Sequence, residues 1–254
     1  VLVLLPPSET KRDGGDGAPL DFHALAYPQL NSRRRALVRA LKALSRDADA
    51  AAAALKLGRT QRGEIARNRA LTTSGTMPAI DRYTGVLYDA LDAPGLSESE
   101  REFAGAHVVV HSALFGPIGA LDPLPAYRMS HNSRLPEISL GKHWGDSISK
   151  VLAGSDGLVL DFRSEAYVSF GAAPARAGSY YLRVVTEAAD GRTRALNHFN
   201  KKSKGEFTRA IVQNGVDFSS APELLEWADG AGFILRRSAD GELELVVEEI
   251  IAAR

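Results

Sequence analysis

The chain has no cysteine among its 254 residues. That absence removes disulfides, thiolate metal sites, iron–sulfur ligation and a cysteine nucleophile together. No apolar run approaches the eighteen residues that a membrane-spanning helix needs. The apolar start, Val1 to Leu5, is too short for a secretory leader and has no basic flank, so the expectation is a cytoplasmic protein with no membrane partner. Net charge is missing too, since 31 Lys and Arg balance 31 Asp and Glu. Several motifs of nucleotide, hydrolase and metal chemistry are absent: G-x-x-x-x-G-K-[ST], G-x-G-x-x-G after a strand, G-x-S-x-G and H-E-x-x-H. Six histidines are spread along the chain. His107 and His111, read as lying on one strand, share a face but sit too far apart for easy co-ligation. No metal site and no cofactor is expected.

What is present is ordinary for a globular protein: 44% hydrophobic and 24% charged residues. The length suffices for one large domain or two small ones. Without repeats or a low-complexity linker, a single domain over 1–254 is the better reading. The balanced charge is unevenly placed. Residues 31–69 carry eleven Lys and Arg against three acids, and 217–254 carry nine acids against three Arg. Such asymmetry fits a nucleic-acid surface, two faces that meet inside the fold, or solvated helix faces.

Val1 to Leu5 reads as a buried central strand stopped by Pro6-Pro7, followed by Ser8-Glu9-Thr10-Lys11, whose hydroxyl and backbone donors suit an anion. A basic helical segment covers about 31–71: Asn31 or Ser32 caps a helix with Leu37, Leu41 and Leu44 on one face, the alanine-rich Ala48 to Leu57 continues to Gly58, and Arg62 to Leu71 forms a further helix. Ser97 and Glu100 form a capping box. Val108-Val109-Val110 reads as a buried strand feeding a loop with Gly116-Pro117, Gly119 and Pro123 that emerges at Tyr127-Arg128. That loop either places side chains at a pocket mouth or merely sets turns. A helix with Ile148, Val151 and Leu152 on one face follows Trp144, and Leu158 to Leu160 is another short strand. Tyr181 to Val185 turns back at Gly191 into Thr193 to Phe199, a helix runs from Asn200 through Ile211, and Phe233 to Arg236 pairs with Leu243 to Val247. The expected class is α/β (α+β), with helices around a mixed, partly antiparallel sheet.

Lys201-Lys202-Ser203-Lys204-Gly205 is the clearest local signal. Three ammonium groups at a helix start oppose the dipole and suit an anion. Their crowding would also depress one lysine pKa, and the plain alternative is a solvated run.

Taken together, six stretches resemble the YaaA family of bacterial peroxide-stress proteins. They are LLPPSETK (4–11), RYTGVLYDAL (82–91), SALFGPIGALDPLPAYRM (112–129), HWGDSISKVL (143–152), DFRSEAYVSF (161–170) and NKKSKGEFTRAIV (200–212). The resemblance implies a compact single-domain α/β fold with a helix-hairpin-helix-like element, DNA binding through a basic cleft, and protection against iron-dependent oxidative damage under hydrogen peroxide. Carried over by motif, the anion or nucleic-acid binding candidates are Lys11, Tyr83, Arg128, Trp144, Ser164, Tyr167, Lys201, Lys202 and Lys204, with Glu165 beside them. In three places the chain departs from the usual family pattern: His131 stands where acids are common, Asp161 where Asn is, and Lys204 where Arg is.

Three readings follow. In the first, the partner is DNA, held through phosphates by Lys201, Lys202, Lys204 and Arg128. In the second, the protein is an enzyme on a nucleotide, nucleobase or similar small anion, with Lys202 or Glu165 as base, Arg128 and Lys11 as anion clamp, and Tyr83 or Trp144 as stacking surface. The third, direct iron sequestration, has no ligand cluster behind it.

Overall fold

The structure is a computed structural model and describes residues 1–187, 193–195 and 199–247. The expected turn at Gly191, His198 and the charges at 248–254 lie outside the described residues. The strands are β1 (Leu2–Leu5), β2 (Met77–Pro78), β3 (Val108–Ser112), β4 (Gly116–Gly119), β5 (Pro123–Leu124), β6 (Val159–Asp161), β7 (Ser179–Glu187), β8 (Thr193–Ala195), β9 (Ile234–Arg237) and β10 (Glu242–Val247). The α-helices are α1 (Asn31–Leu44), α2 (Ala48–Ala54), α3 (Ile65–Arg69), α4 (Ala79–Arg82), α5 (Val86–Leu91), α6 (Glu98–His107), α7 (Leu140–Trp144), α8 (Asp146–Leu152), α9 (Glu165–Val168), α10 (Phe199–Asn214) and α11 (Ala221–Gly230).

Alternating strands and helices produce a sheet ordered β4-β3-β1-β6-β7-β10-β9, with β8 also paired to β7. β1 is apolar throughout because it lies between two parallel neighbours, with Val3 in register with Val108 on one side and Leu160 on the other. The pairs β6·β7 and β7·β10 are also parallel, while β3·β4, β7·β8 and β9·β10 are antiparallel. β2 and β5 form a separate two-stranded sheet. The chain is therefore a single α/β domain on a mixed sheet, as its pattern predicts.

The connection after β1 leads to β3 on one side, whereas that after β6 leads to β7 on the other. The chain paths part there, leaving a crevice beyond the carboxyl ends of β1 and β6, the usual place for a ligand in an open α/β sheet. β6 pairs with residues 179–181 of β7 and β8 with residues 185–187, so Leu182 to Val184 lie between the two partners.

Local expectations hold in part. The capping box is complete: the Ser97 hydroxyl accepts from Glu100 N, and Ser97 N donates to the Glu100 carboxylate. Asn31 is the first helical residue rather than the cap, and its amide binds the Phe22 carbonyl and the Arg34 guanidinium. The alanine-rich helix ends at Ala54, and Lys56 has positive φ before Gly58. His107 ends α6 instead of joining the strand, with Nδ1 against the Val1 carbonyl (2.7 Å).

Candidate functional site

A cavity of about 850 Å³ opens at the crevice. One wall is Pro6 to Thr10, leaving β1, and the next is Thr84 to Tyr88, opening α5. The stretch 162–167 after β6, apart from Arg163, forms the third wall, and Tyr181 to Val184 with Asn200, Lys201 and Lys204 closes the fourth; His131 also reaches the cavity.

These walls are fixed by the backbone behind them. Thr84 N donates to the Thr10 carbonyl and Lys11 bridges to Tyr83, which ties the first wall to the second. Gly85 has φ 99°, and a Cβ there would stand 3.3 Å from both the Ser8 and Thr10 hydroxyls. α10 lies against α5 so closely that a Cβ on Gly205 would meet the Leu87 carbonyl oxygen at 2.2 Å. Under the third wall, Arg163 is buried and makes a bidentate pair with Asp161 (Nε–Oδ1 2.8 Å, Nη2–Oδ2 2.6 Å). Its Nη1 donates to the Gly171 carbonyl and to His111 Nδ1 (2.7 Å). Burial, with Arg163 adding to it, holds the His111 imidazole well below its usual pKa, so the ring is neutral.

The chemical groups of the cavity fall into three kinds. Ser8, Thr10, Thr84 and Ser164 supply hydroxyls. Arg183 and the exposed Lys201 supply cations, although Arg183 is shared with Glu242 (2.8 Å) and more loosely with Glu165 (3.8 Å). Tyr88, Tyr167, Tyr181 and Phe162 supply ring surface. Lys204 belongs with none of these. Only 5% exposed, it donates from Nζ to the Phe162 carbonyl (2.9 Å) and lies 5.8 Å from the Tyr181 ring centre. Burial brings its ammonium down to about 8, with Asp161 opposing the shift and Arg183 adding to it. Desolvation, rather than lysine crowding, is the cause.

The structure places Ser164, Glu165, Tyr167, Lys201 and Lys204 around this cavity. Lys202 points elsewhere and pairs with Glu206 (3.2 Å), one turn along α10. Lys11, Tyr83 and Arg128 stand together behind the first wall, away from the cavity lining. There the Lys11 ammonium donates to the Ser8 and Glu9 carbonyls (2.9 and 3.2 Å) and sits 4.1 Å from the Tyr127 ring centre. Burial, reinforced by Arg128, lowers it to about 7. Arg128 is engaged by Glu9 (2.8 Å) and Glu64 (3.6 Å). The Tyr83 hydroxyl meets that of Tyr127 (2.7 Å), which in turn meets Ser112 Oγ (2.7 Å). Trp144 is a core residue: fully buried, it donates to the Ala113 carbonyl (3.0 Å) and covers Gly116. Sequence reasoning passed over Tyr88, Tyr181, Arg183 and Asn200 as site residues. Tyr181 and Arg183 did carry a signal, because two polar side chains two apart on a strand share a face.

The family model described as peroxide stress protein YaaA matches residues 1–239. The chain belongs to the YaaA family. A YaaA-family relative, a UPF0246 protein of Corynebacterium glutamicum strain R, is 40% identical over 254 residues, covering 97% of this chain and 100% of its own. A UPF0246 protein of Corynebacterium efficiens is 39% identical over 237 residues, 91% and 93% of the two chains, and one of Streptomyces coelicolor 37% over 262 aligned positions, 98% and 100%. His131 and Lys204 line the cavity, and Asp161 anchors Arg163 beneath it.

No group of three or more His, Cys, Asp or Glu residues that could hold a metal ion occurs among the described residues. No helix among them is long and apolar enough to cross a membrane.

Proposed function

We propose that this member of the peroxide-stress family binds a small phosphorylated ligand of the nucleotide class in the cavity at the sheet's switch point and acts on it there. The observation that carries the reading is the composition of one cavity: cations at the α10 start, four hydroxyls and ring-bearing side chains around about 850 Å³. That volume suits a single nucleotide-sized molecule. Lys201 stands in the first turn of a sixteen-residue helix, where the backbone dipole favours an anionic group. Tyr88 and Tyr181 offer faces for a planar ring. Of the two bases expected in the enzyme reading, Glu165 stands at the cavity, and Lys204 takes the place of Lys202.

DNA binding remains the second reading, and one observation favours it. Along α1 and just past its end, Arg35, Arg39, Lys42 and Arg46 have no carboxylate partner among the described residues and border a groove of about 410 Å³. Protection from iron-dependent damage would be the cellular outcome of either reading.

Calorimetric titration with nucleoside mono-, di- and triphosphates, alongside duplex DNA, tests the pair. The expected result is saturable binding of a mononucleotide that Lys201→Ala weakens about tenfold, the scale of one charge-assisted phosphate contact. Lys202→Ala, which removes a charge outside the cavity, should leave it unchanged. Duplex affinity that falls steeply with salt, responds to the α1 arginines and ignores Lys201, with no mononucleotide binding, would replace the first reading by the second.

A further inference from the structure

We propose that Lys204 is a nucleophilic amine that condenses with the aldehyde of an open-chain sugar phosphate held in this cavity. The inference rests on the cavity being the ligand site. Its own support is the state of Lys204. Buried lysines are normally paired, yet Lys204 has no carboxylate partner among the described residues and a single acceptor, the Phe162 carbonyl. The nearest candidate on β6, Asp161, gives both oxygens to Arg163. Around the amine stand Tyr181 and Arg183 from β7, with Glu165 from α9 paired to Arg183 and Lys201 on its own helix. Desolvation leaves the lysine at about 8, so a tenth of the amine is neutral near pH 7 on the simple titration relation.

The rest of the cavity fits the other parts of such a ligand. Ser8, Thr10, Thr84 and Ser164 suit hydroxyl groups, and Lys201 suits the phosphate. The nitrogen lone pair forms a bond to the carbonyl carbon while the C=O π pair moves to oxygen, giving a carbinolamine. That oxygen then leaves as water with both protons of the amine, and a C=N bond remains. The step needs no oxidant or reductant.

The test is reductive trapping of the whole chain with ribose 5-phosphate and sodium borohydride, followed by peptide mass mapping. At pH 7 an amine of pKa about 8 is roughly 230-fold more neutral than an exposed lysine near 10.4. Lower intrinsic nucleophilicity, if it scales as it does for thiols, reduces the net preference to about 20-fold. The expected result is one adduct, on Lys204, whose formation rate rises about tenfold per pH unit below 8 and levels above it, and which unphosphorylated ribose does not reproduce. Lys204→Arg should abolish the adduct and keep the parent's near-ultraviolet circular dichroism. Adducts spread over Lys56, Lys150, Lys201 and Lys202 by exposure would overturn the proposal on the unmutated protein alone. Nucleotides that bind without any trapping at Lys204 would sink this inference and leave the cavity reading standing. Trapping at Lys204 that saturating nucleotide does not block would keep this inference and the cavity as a ligand site, and would sink the nucleotide as its occupant.

Discussion

Lys11 and Lys204 are both inside the protein, and both hold their ammonium hydrogens on backbone carbonyls. Their folded pKa values, about 7 and about 8, lie below the 10.5 of a free lysine. Between those limits the unfolded chain binds more protons than the folded one, so stability rises with pH across the window and is flat below it. Each group contributes at most about 1.4 kcal/mol per pH unit. Urea unfolding of the parent should therefore show greater stability at pH 9 than at pH 7, and Lys11→Met should flatten that rise by roughly half. An unchanged slope would mean that Lys11 is not desolvated. Measurements belong below pH 10, because burial raises the pKa values of Tyr83, Tyr88, Tyr127 and Tyr167, and those phenols would work in the opposite sense. At this scale the sequence misled most where partners are remote. Arg128 reads as a free cation until Glu9, 119 residues away, closes on it.

α10 joins the two halves of the site. Its first two turns carry the cavity lysines Lys201 and Lys204, and its side packs on α5, whose own first turn is another wall. The separation between those walls depends on Gly205, where an added Cβ would also meet Ala90 Cβ at 2.9 Å. Gly205→Ala gains helix propensity but overpacks the contact. The expected net loss is about 1–3 kcal/mol, read as a lower urea midpoint together with weaker ligand binding. A stabilised variant with unchanged binding would show that the helices yield freely. The helix itself was legible from its pattern, as were β1, β3, β6, β7, β9, β10 and the Ser97 capping box, whereas Gly116–Gly119, read as loop, is strand β4 paired with β3. Which lysine faces inward was not, because the contact that sets the phase of α10, Gly205 on Leu87, spans more than a hundred residues of sequence. The pairing of Lys202 with Glu206 one turn on was the local clue that this lysine belongs to the outer face.

Across the whole molecule, the charge asymmetry of the sequence becomes several separate structural uses. Arg34 is buried, donating to the Phe115 and Pro117 carbonyls, and desolvation lowers it to about 10. Arg62 and Arg67 pair with acids, while Arg35 and Arg39 on α1 have no carboxylate partner among the described residues. The acidic end is used on its own side, where Glu242 and Glu244 meet Arg183 and Arg236. Among the described residues, no ion pair joins the basic segment to the acidic one. The cavity walls, meanwhile, come from stretches near residues 6, 84, 162 and 200, brought together only by the folded sheet. An unfolded chain has nothing resembling this site, so any occupant binds the folded state alone. Its presence should then register as added resistance to melting, about 2.7 kcal/mol at a concentration one hundred times its dissociation constant. A thermal-shift screen of phosphorylated metabolites can thus find the physiological occupant before its chemistry is known, with loss of the shift in Lys201→Ala assigning it to the cavity.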